Sequence, residues 1–174
     1  MGVSEFVNTA LSQVGNNGNA SILWYYGELK DVDWCAIWIS YVGYLSGNEN
    51  LIGKYALAGD SAEHGDGLTG TYISHTNTPN VGDLIHFIFT PRETESKYSA
   101  DHIGIVYKVE NGYVYTVEGN STDGLVALNY YDLTSPQIVY YFRPKWGDTP
   151  QPPTPPTPTT KTRKLPLWMY PKIF

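Results

Sequence analysis

The amino-acid sequence predicts an α+β domain in which N-terminal helices pack on an antiparallel β-sheet of about five strands. Before about residue 46, apolar residues recur at the three- and four-residue spacing of amphipathic helices. After Pro79, short runs of β-branched and aromatic residues alternate with turn residues, which is typical of strands. Helices and strands are therefore segregated along the chain, as they are in α+β domains.

Two helices are predicted in the first part of the chain. Ser4 can cap a helix that ends at Gly15, and a loop rich in Gly and Asn follows. Asp33 can cap a second helix that has one apolar face. That face is formed by Cys35, Trp38, Ile39, Val42 and Leu45. Residues 50–80 are rich in Gly and favour no single type of element.

The second part of the chain predicts the sheet. Its strands are expected at 83–89, 102–109, 113–119, 125–131 and 138–142. The segment "ENG" at 110–112 is typical of a tight hairpin turn between two of them. Consecutive strands joined in this way form an antiparallel sheet, on which the helices can pack.

Composition divides the chain into a domain, a linker and a tail. Residues 1–148 form the domain, and residues 149–160, "TPQPPTPPTPTT", predict a linker in the polyproline II conformation. Residues 161–174 are basic and apolar but too short to fold alone. They are interpreted either as the start of a C-terminal binding module or as a strip that docks on the domain.

Charge and hydropathy exclude several classes of partner. Four of the 11 basic residues follow residue 160 and none of the 17 acidic residues does, so the preceding part carries a net charge of −10. An acidic domain is not expected to bind nucleic acid, which needs clustered cations. No run approaches the roughly 18 apolar residues of a membrane span, and the N-terminus lacks the pattern of a secretory signal.

Cys35 is the single cysteine of the chain, so an internal disulfide is excluded. It lies at the predicted start of the second helix, where unpaired N–H groups and the helix dipole favour the thiolate. Its own N–H is also suited to hold a developing oxyanion. The sequence therefore predicts a nucleophile, although most free cysteines are small buried hydrophobes.

A thiolate nucleophile normally works with a histidine that carries its proton. His102 is the favoured candidate, because it opens a predicted strand directly after a polar loop. His64 and His75 lie in irregular segments and are predicted to be surface residues, whereas His86 lies within a strand and is predicted to be structural.

Glu118 and Asn120 are candidates for orienting the imidazole. If the hairpin turns at 110–112, His102 faces Asn120 and Glu118 faces Gly104, so that the three polar side chains share one face. Polar residues at a strand end are alternatively ordinary turn residues.

Four segments together resemble the CHAP family of cysteine- and histidine-dependent amidohydrolases and peptidases. They are "DWCAIWIS", "PNVGDLIHF", "DHIGIVYKV" and "YTVEGNS", and the resemblance extends from about residue 5 to 145. It implies a papain-like fold and hydrolysis of an amide bond in bacterial peptidoglycan. Carried over by motif, Cys35 would be the nucleophile, His102 the base, Glu118 its orienting partner and Asn120 a further polar helper.

Substrate and metal binding are less sharply indicated. Trp34, beside the nucleophile, is the candidate for the wall of a substrate groove, although aromatic residues mainly build cores. Some relatives bind calcium before the cysteine, but residues 19–35 here contain few suitable oxygen ligands. The acidic segment 59–67 is the alternative cation site. We expect no cofactor and no metal.

The order of a CHAP-like domain, a Pro/Thr linker and no export signal resembles a phage endolysin. Such an enzyme is expected to be made in the host cytoplasm and to reach the cell wall after release through a holin. A host autolysin or an NlpC-type peptidase is one alternative, and a catalytically silent wall-binding module is another. Amidase and endopeptidase activity would use the same catalytic groups, so the sequence leaves both open.

Overall fold

The computed structural model of the chain describes residues 2–59, 69–90 and 99–147. The linker and the tail predicted at 149–174 lie outside the described residues, as do His64 and nearly all of the acidic segment 59–67. None of the helices in the described part has the length and apolar character needed to cross a membrane.

Helices precede strands, which confirms the predicted α+β class. The described helices are α1 (Val3–Ser12), α2 (Asn19–Tyr26), α3 (Cys35–Leu45) and α4 (Glu49–Ile52), and a 3₁₀ turn covers Thr122–Gly124. The strands are β1 (Gly70–Ser74), β2 (Leu84–Phe87), β3 (His102–Glu110), β4 (Tyr113–Glu118), β5 (Ala127–Asp132) and β6 (Ile138–Pro144). They form one six-stranded antiparallel sheet in the order β1-β6-β2-β3-β4-β5.

The sheet carries a hydrophobic cluster on each face, because successive residues of a strand point to opposite sides. The cluster on the helix side joins α1 and α3 to alternate strand residues such as Leu84 and Ile105. The cluster on the other side includes their neighbours Ile85 and Val106. The site residues of β3 and β4 therefore lie in a sheet that is held rigidly from both sides.

The β3–β4 hairpin confirms the prediction made from "ENG". Asn111 and Gly112 have φ values of 53° and 84°, the left-handed pair of a type I′ turn. Ile105 faces Val117 and Val106 faces Thr116, which is the predicted register. An irregularity between Val106 and Lys108 shifts the pairing by one residue nearer the turn.

Several helix predictions were wrong. Asp33 does not cap α3; the capping position is held by Trp34, which makes no side-chain cap hydrogen bond. Leu45 is 43% exposed instead of lying on the buried face. The predicted loop after Gly15 contains α2, whose sequence "NASILWYY" places apolar residues all round the helix and so shows no apolar stripe. The sixth strand, β1, arises within 50–80, where the sequence favoured no element.

Candidate active site

Cys35 is the first residue of α3 and a free thiol that is only 5% exposed. The helical hydrogen bonds of α3 start with Trp38 N–H donating to the carbonyl of Trp34, 2.9 Å away. The N–H groups of the first turn therefore have no partner within the helix, and they present the positive end of the helix dipole to the thiol.

His102 is the first residue of β3, and its imidazole lies between the thiol and a carboxylate. Nε2 is 2.9 Å from Oε2 of Glu118. Burial works to lower the pKa of His102, but the side-chain hydrogen bonds to Cys35 and Glu118, together with their charges, outweigh it and raise the pKa to about 10. Because Nε2 is engaged by Glu118, Nδ1 is the nitrogen that remains for the thiol.

Glu118 ends β4 and is only 1% exposed, so its carboxylate needs hydrogen-bond donors in the protein. Besides His102, it accepts hydrogen bonds from Thr116 Oγ1, Asn129 Nδ2 (2.9 Å), Tyr131 OH (3.3 Å) and Ser121 Oγ (3.4 Å). Asn129 also donates to Ser121 Oγ at 2.8 Å. These donors fix the carboxylate against the imidazole.

Gly104 allows Glu118 to reach His102. A Cβ atom at Gly104 would lie 2.6 Å from Cγ of Glu118, which is closer than real atoms approach. The Glu118 side chain therefore crosses β3 where β3 has no side chain. This agrees with the prediction that Glu118 faces Gly104.

Asn120 is not brought against His102 as its strand partner. β4 ends at Glu118, and Asn120 adopts a φ of 53°, which takes the chain out of the sheet. Its Nδ2 donates instead to Oδ1 of Asp33 at 3.1 Å. Asn120 thus ties the end of β4 to the segment that precedes Cys35.

Trp34 lies between two glycines and is only 7% exposed. Cβ atoms at Gly18 and Gly119 would approach its ring to 2.5 and 2.9 Å, so both glycines are required by this packing. Trp34 also lines a polar depression of about 540 Å³ beside α3. The other residues of this depression, here called the charged depression, are Asn19, Ile22, Lys30, Asp31, Val32, Asp33 and Asn120.

Thr116, Asn129 and Tyr131 also belong to the site, although their sequence positions did not predict it. Asn129 pairs with Thr116 across β4 and β5, and both side chains are on the Glu118 face of the sheet. A polar residue inside the otherwise apolar strand 125–131 was the available signal. It could be read only once the register between β4 and β5 was known.

The other described histidines take no part in this site. His75 is exposed, and His86 is completely buried, as predicted. Burial lowers the pKa of His86 to about 3, which keeps its ring neutral. Among the described residues, no three His, Cys, Asp or Glu side chains come together in a way that could hold a metal ion.

Comparisons with known proteins identify the family of the chain and a likeness of fold. The chain matches the CHAP domain over residues 5–120, and it therefore belongs to the CHAP family. No curated protein matches the sequence. A crystal structure of Ly7917 is similar at 18% identity, with a TM-score of 0.53 over 83% of this chain and 63% of that one. A crystal structure of Ly7917 with the hydrolyzing product of MDP has 19% identity and a TM-score of 0.52, over 82% and 62%. The present chain thus spans less than two thirds of the length of Ly7917, and at these identities the likeness concerns the fold.

Proposed function

We propose that this chain is a cysteine-dependent peptidoglycan hydrolase that cleaves an amide bond of the bacterial cell wall. The observation that carries the proposal is the line of side chains from Cys35 through His102 to Glu118. A nucleophile, a proton carrier and an orienting acid brought to one place are the parts needed for amide hydrolysis through an acyl-enzyme. Membership of the CHAP family supports the same conclusion.

In the first half of the reaction, the Cys35 thiolate attacks the amide carbonyl carbon and forms a C–S bond. The oxygen gains the negative charge, and the N–H of Cys35 at the start of α3 is suited to stabilise it. The C–N bond then breaks as His102 gives its proton to the leaving amine. In the second half, His102 takes a proton from water, the hydroxide attacks the thioester, and the acid product leaves with regeneration of the thiolate.

Asn120 and Trp34 have supporting roles in this proposal. Asn120 holds the segment before Cys35 through Asp33, and Trp34 forms part of the wall of the charged depression. The mixture of Lys30, Asp31 and Asp33 suits a stem peptide, which carries both amino and carboxylate groups. No metal is required by the chemistry we propose.

The biological role that we propose is that of a phage endolysin. A Pro/Thr-rich run after the domain, followed by a basic and apolar segment, suits an enzyme that is joined to a wall-binding module. Mass spectrometry of digested walls distinguishes the two candidate activities, because an endopeptidase creates new N-termini between amino acids and an amidase releases free lactyl groups on muramic acid.

Replacement of Cys35 tests the proposed hydrolase directly. Cys35→Ala is expected to abolish clearing of purified cell walls, while the free energy of unfolding changes by only about 1–2 kcal/mol. Turbidity and thermal unfolding measure the two effects. Wall clearing by the folded variant would show that the thiol is not the nucleophile.

Alkylation by iodoacetamide separates an enzyme from a silent wall-binding module. The chain has one thiol, so mass spectrometry reports on Cys35 alone. Fast labelling near neutral pH is expected of a thiolate paired with His102, and slow labelling would favour a structural cysteine. His102→Asn is the control, because it removes the proton acceptor and should slow the reaction.

A further inference from the structure

Three aromatic rings form a cluster on the outer surface of α2 and α3. We call Trp24, Tyr41 and Tyr44 the aromatic platform. The ring centre of Trp24 is 5.6 Å from that of Tyr41 and 5.3 Å from that of Tyr44. Tyr44 is 48% exposed, and the nearby Leu23 is 51% exposed. Trp24 and Tyr41 are half-buried, so the platform presents aromatic faces that are partly open to a ligand.

The platform is supported by Lys54, which lies in the segment that follows α4. Lys54 Nζ lies 4.8 Å from the ring centre of Trp24 and 4.9 Å from that of Tyr25. A cation over an aromatic face is attracted by the ring quadrupole. The contact holds the Trp24 indole in place at the surface, so that the rings are arranged before any ligand arrives.

A cavity of about 270 Å³ adjoins the platform at Tyr41. Its lining contains no charged side chain: Gln13, Gly15, Asn16, Asn17, Ala20, Ser21, Trp38, Tyr41 and Val126. Trp38 is 2% exposed, and its Nε1–H is buried without an acceptor among the described residues. A buried donor without a partner is costly unless a ligand or water supplies one.

The cavity also offers hydrogen-bonding groups at its rim. Asn16 donates its amide to Oε1 of Gln13 at 3.1 Å, and Asn17 accepts the Asn19 N–H at 3.1 Å. The side-chain carbonyl of Asn16 and the side-chain NH₂ of Asn17 therefore remain as an acceptor and a donor. Neutral donors and acceptors beside aromatic faces match a pyranose, whose C–H face stacks on a ring and whose hydroxyl and acetamido groups need both kinds of partner.

The lining also argues against a peptide ligand at this position. The charged depression beside Trp34 contains Lys30, Asp31 and Asp33, whereas the cavity at Tyr41 contains only neutral groups. The charged depression is the better match for a stem peptide with ionised groups, and the cavity at Tyr41 is the better match for an uncharged sugar. The linings of the two sites therefore differ in charge as the peptide and the sugar of peptidoglycan do.

We propose that the aromatic platform and the cavity at Tyr41 form a subsite for the glycan strand of peptidoglycan. The inference rests on the proposed function, since it assigns one part of the proposed substrate to this face of the protein. Tyr41 follows Cys35 by six residues in α3, which is about 9 Å along the helix axis. A strand held here brings the peptides attached to it to the nucleophile.

The test is equilibrium binding of glycan strands stripped of their peptides, measured by isothermal titration calorimetry with the full chain. These strands contain no bond that the proposed hydrolase cuts, so binding is measured without turnover. Wild type is expected to bind, and Tyr44→Ala and Asn17→Ala are each expected to raise Kd about 10-fold. Both residues are at the surface, so thermal unfolding should confirm that the variants are folded.

Tyr113→Ala is the matched control. Tyr113 is 37% exposed and contacts another tyrosine ring, but it lies at the hairpin end of the sheet. The Kd of the Tyr113→Ala variant for stripped strands is expected to equal that of the wild type. The proposal is overturned if stripped strands do not bind the wild type, or if Tyr44→Ala and Asn17→Ala bind them as the wild type does. It is also overturned if Tyr113→Ala loses as much affinity as those two variants. Competition by a free stem peptide at this surface would equally overturn it.

The design separates this subsite from the proposed hydrolysis. Cys35→Ala should bind stripped strands with unchanged affinity, since the thiol is outside the cavity. Glycan binding that depends on Tyr44 would stand even if the Cys35 experiment refuted hydrolysis. Conversely, if the protein hydrolyses cell walls but does not bind stripped glycan strands, the subsite alone is refuted.

Discussion

His86 and His102 lie on neighbouring strands, and their pKa values are shifted in opposite directions. In the β2–β3 pairing, His86 faces Ile103 and Phe87 faces His102. His86 is completely buried, and burial lowers its pKa to about 3. His102 is also subject to a burial effect that lowers its pKa, but the pKa is raised to about 10.

The surroundings of each ring explain the difference. The ring of His86 is stacked on Tyr140, with ring centres 4.1 Å apart and planes at 18°, so its neighbour there is an uncharged aromatic face. His102 has the Glu118 carboxylate at 2.9 Å on one nitrogen and a side-chain hydrogen bond to Cys35. Burial alone therefore makes a neutral structural histidine, and burial with an acid on one side and a thiol on the other makes a proton carrier.

The largest loss of activity is expected when His102, but not His86, is replaced by a side chain that does not titrate. His102→Asn is expected to lower kcat/KM on cell walls by about 10²- to 10⁴-fold, because the general acid is lost. His86→Phe keeps an aromatic ring on Tyr140 and should retain activity per folded molecule. Turbidity assays corrected for the folded fraction compare the two. A larger loss of activity in His86→Phe would reverse our assignment of the two histidines.

A smaller effect is expected from Glu118→Gln, which keeps the shape of the side chain but removes the charge. Hydrogen bonds to charged groups contribute about 1.5–3 kcal/mol, so kcat/KM is expected to fall roughly 10- to 100-fold. The carboxylate raises the pKa of His102, so His102 should lose its proton at lower pH in the variant. The alkaline limb of the pH–rate profile is therefore expected to move to lower pH.

Two results would contradict this role of Glu118. An unchanged alkaline limb would show that the carboxylate does not control the proton of His102. An activity loss as complete as that of Cys35→Ala, with a lowered Tm, would show that Glu118 acts by holding the fold together.

The third prediction concerns stability in acid and leaves the activity of the folded protein unchanged. Unfolded, His86 takes up a proton near pH 6.5, whereas in the folded protein it does so near pH 3. The unfolded state therefore binds more protons in this window, and the stability present above pH 6.5 is lost as pH falls towards 3. One proton corresponds to about 1.4 kcal/mol per pH unit. His86→Phe should flatten the decline by up to this slope in denaturant titrations, and an unchanged slope would be inconsistent with a buried neutral His86.

The candidate site was only partly predictable from the sequence. Cys35, His102 and Glu118 were found because helix start, strand start and hairpin register are local or nearly local patterns. Asn120 was placed beside His102 by extending the register two residues too far. The structure ends β4 at Glu118, and the left-handed backbone of Asn120 directs that residue towards Asp33.

Segments without periodicity were the least predictable. α2 is apolar on all sides, so its helical spacing is hidden, and β1 is held by pairing with β6, about 70 residues further along the chain. The aromatic platform includes Trp24 of α2, so it could not be predicted while α2 itself was not predicted. Such elements form because tertiary contacts stabilise them, and the local sequence pattern does not predict those contacts.

Local sequence patterns were enough to predict the α+β class, the β3–β4 hairpin and the candidate nucleophile with its histidine, because each depends on spacing within a short segment. The packing of helices and sheet is needed to explain which donors surround Glu118, why His86 and His102 differ and where α2 places its aromatic rings. Those properties depend on charges and side chains that lie far apart in the chain and act over a few ångströms, so they exist only once the sheet and helices are packed together.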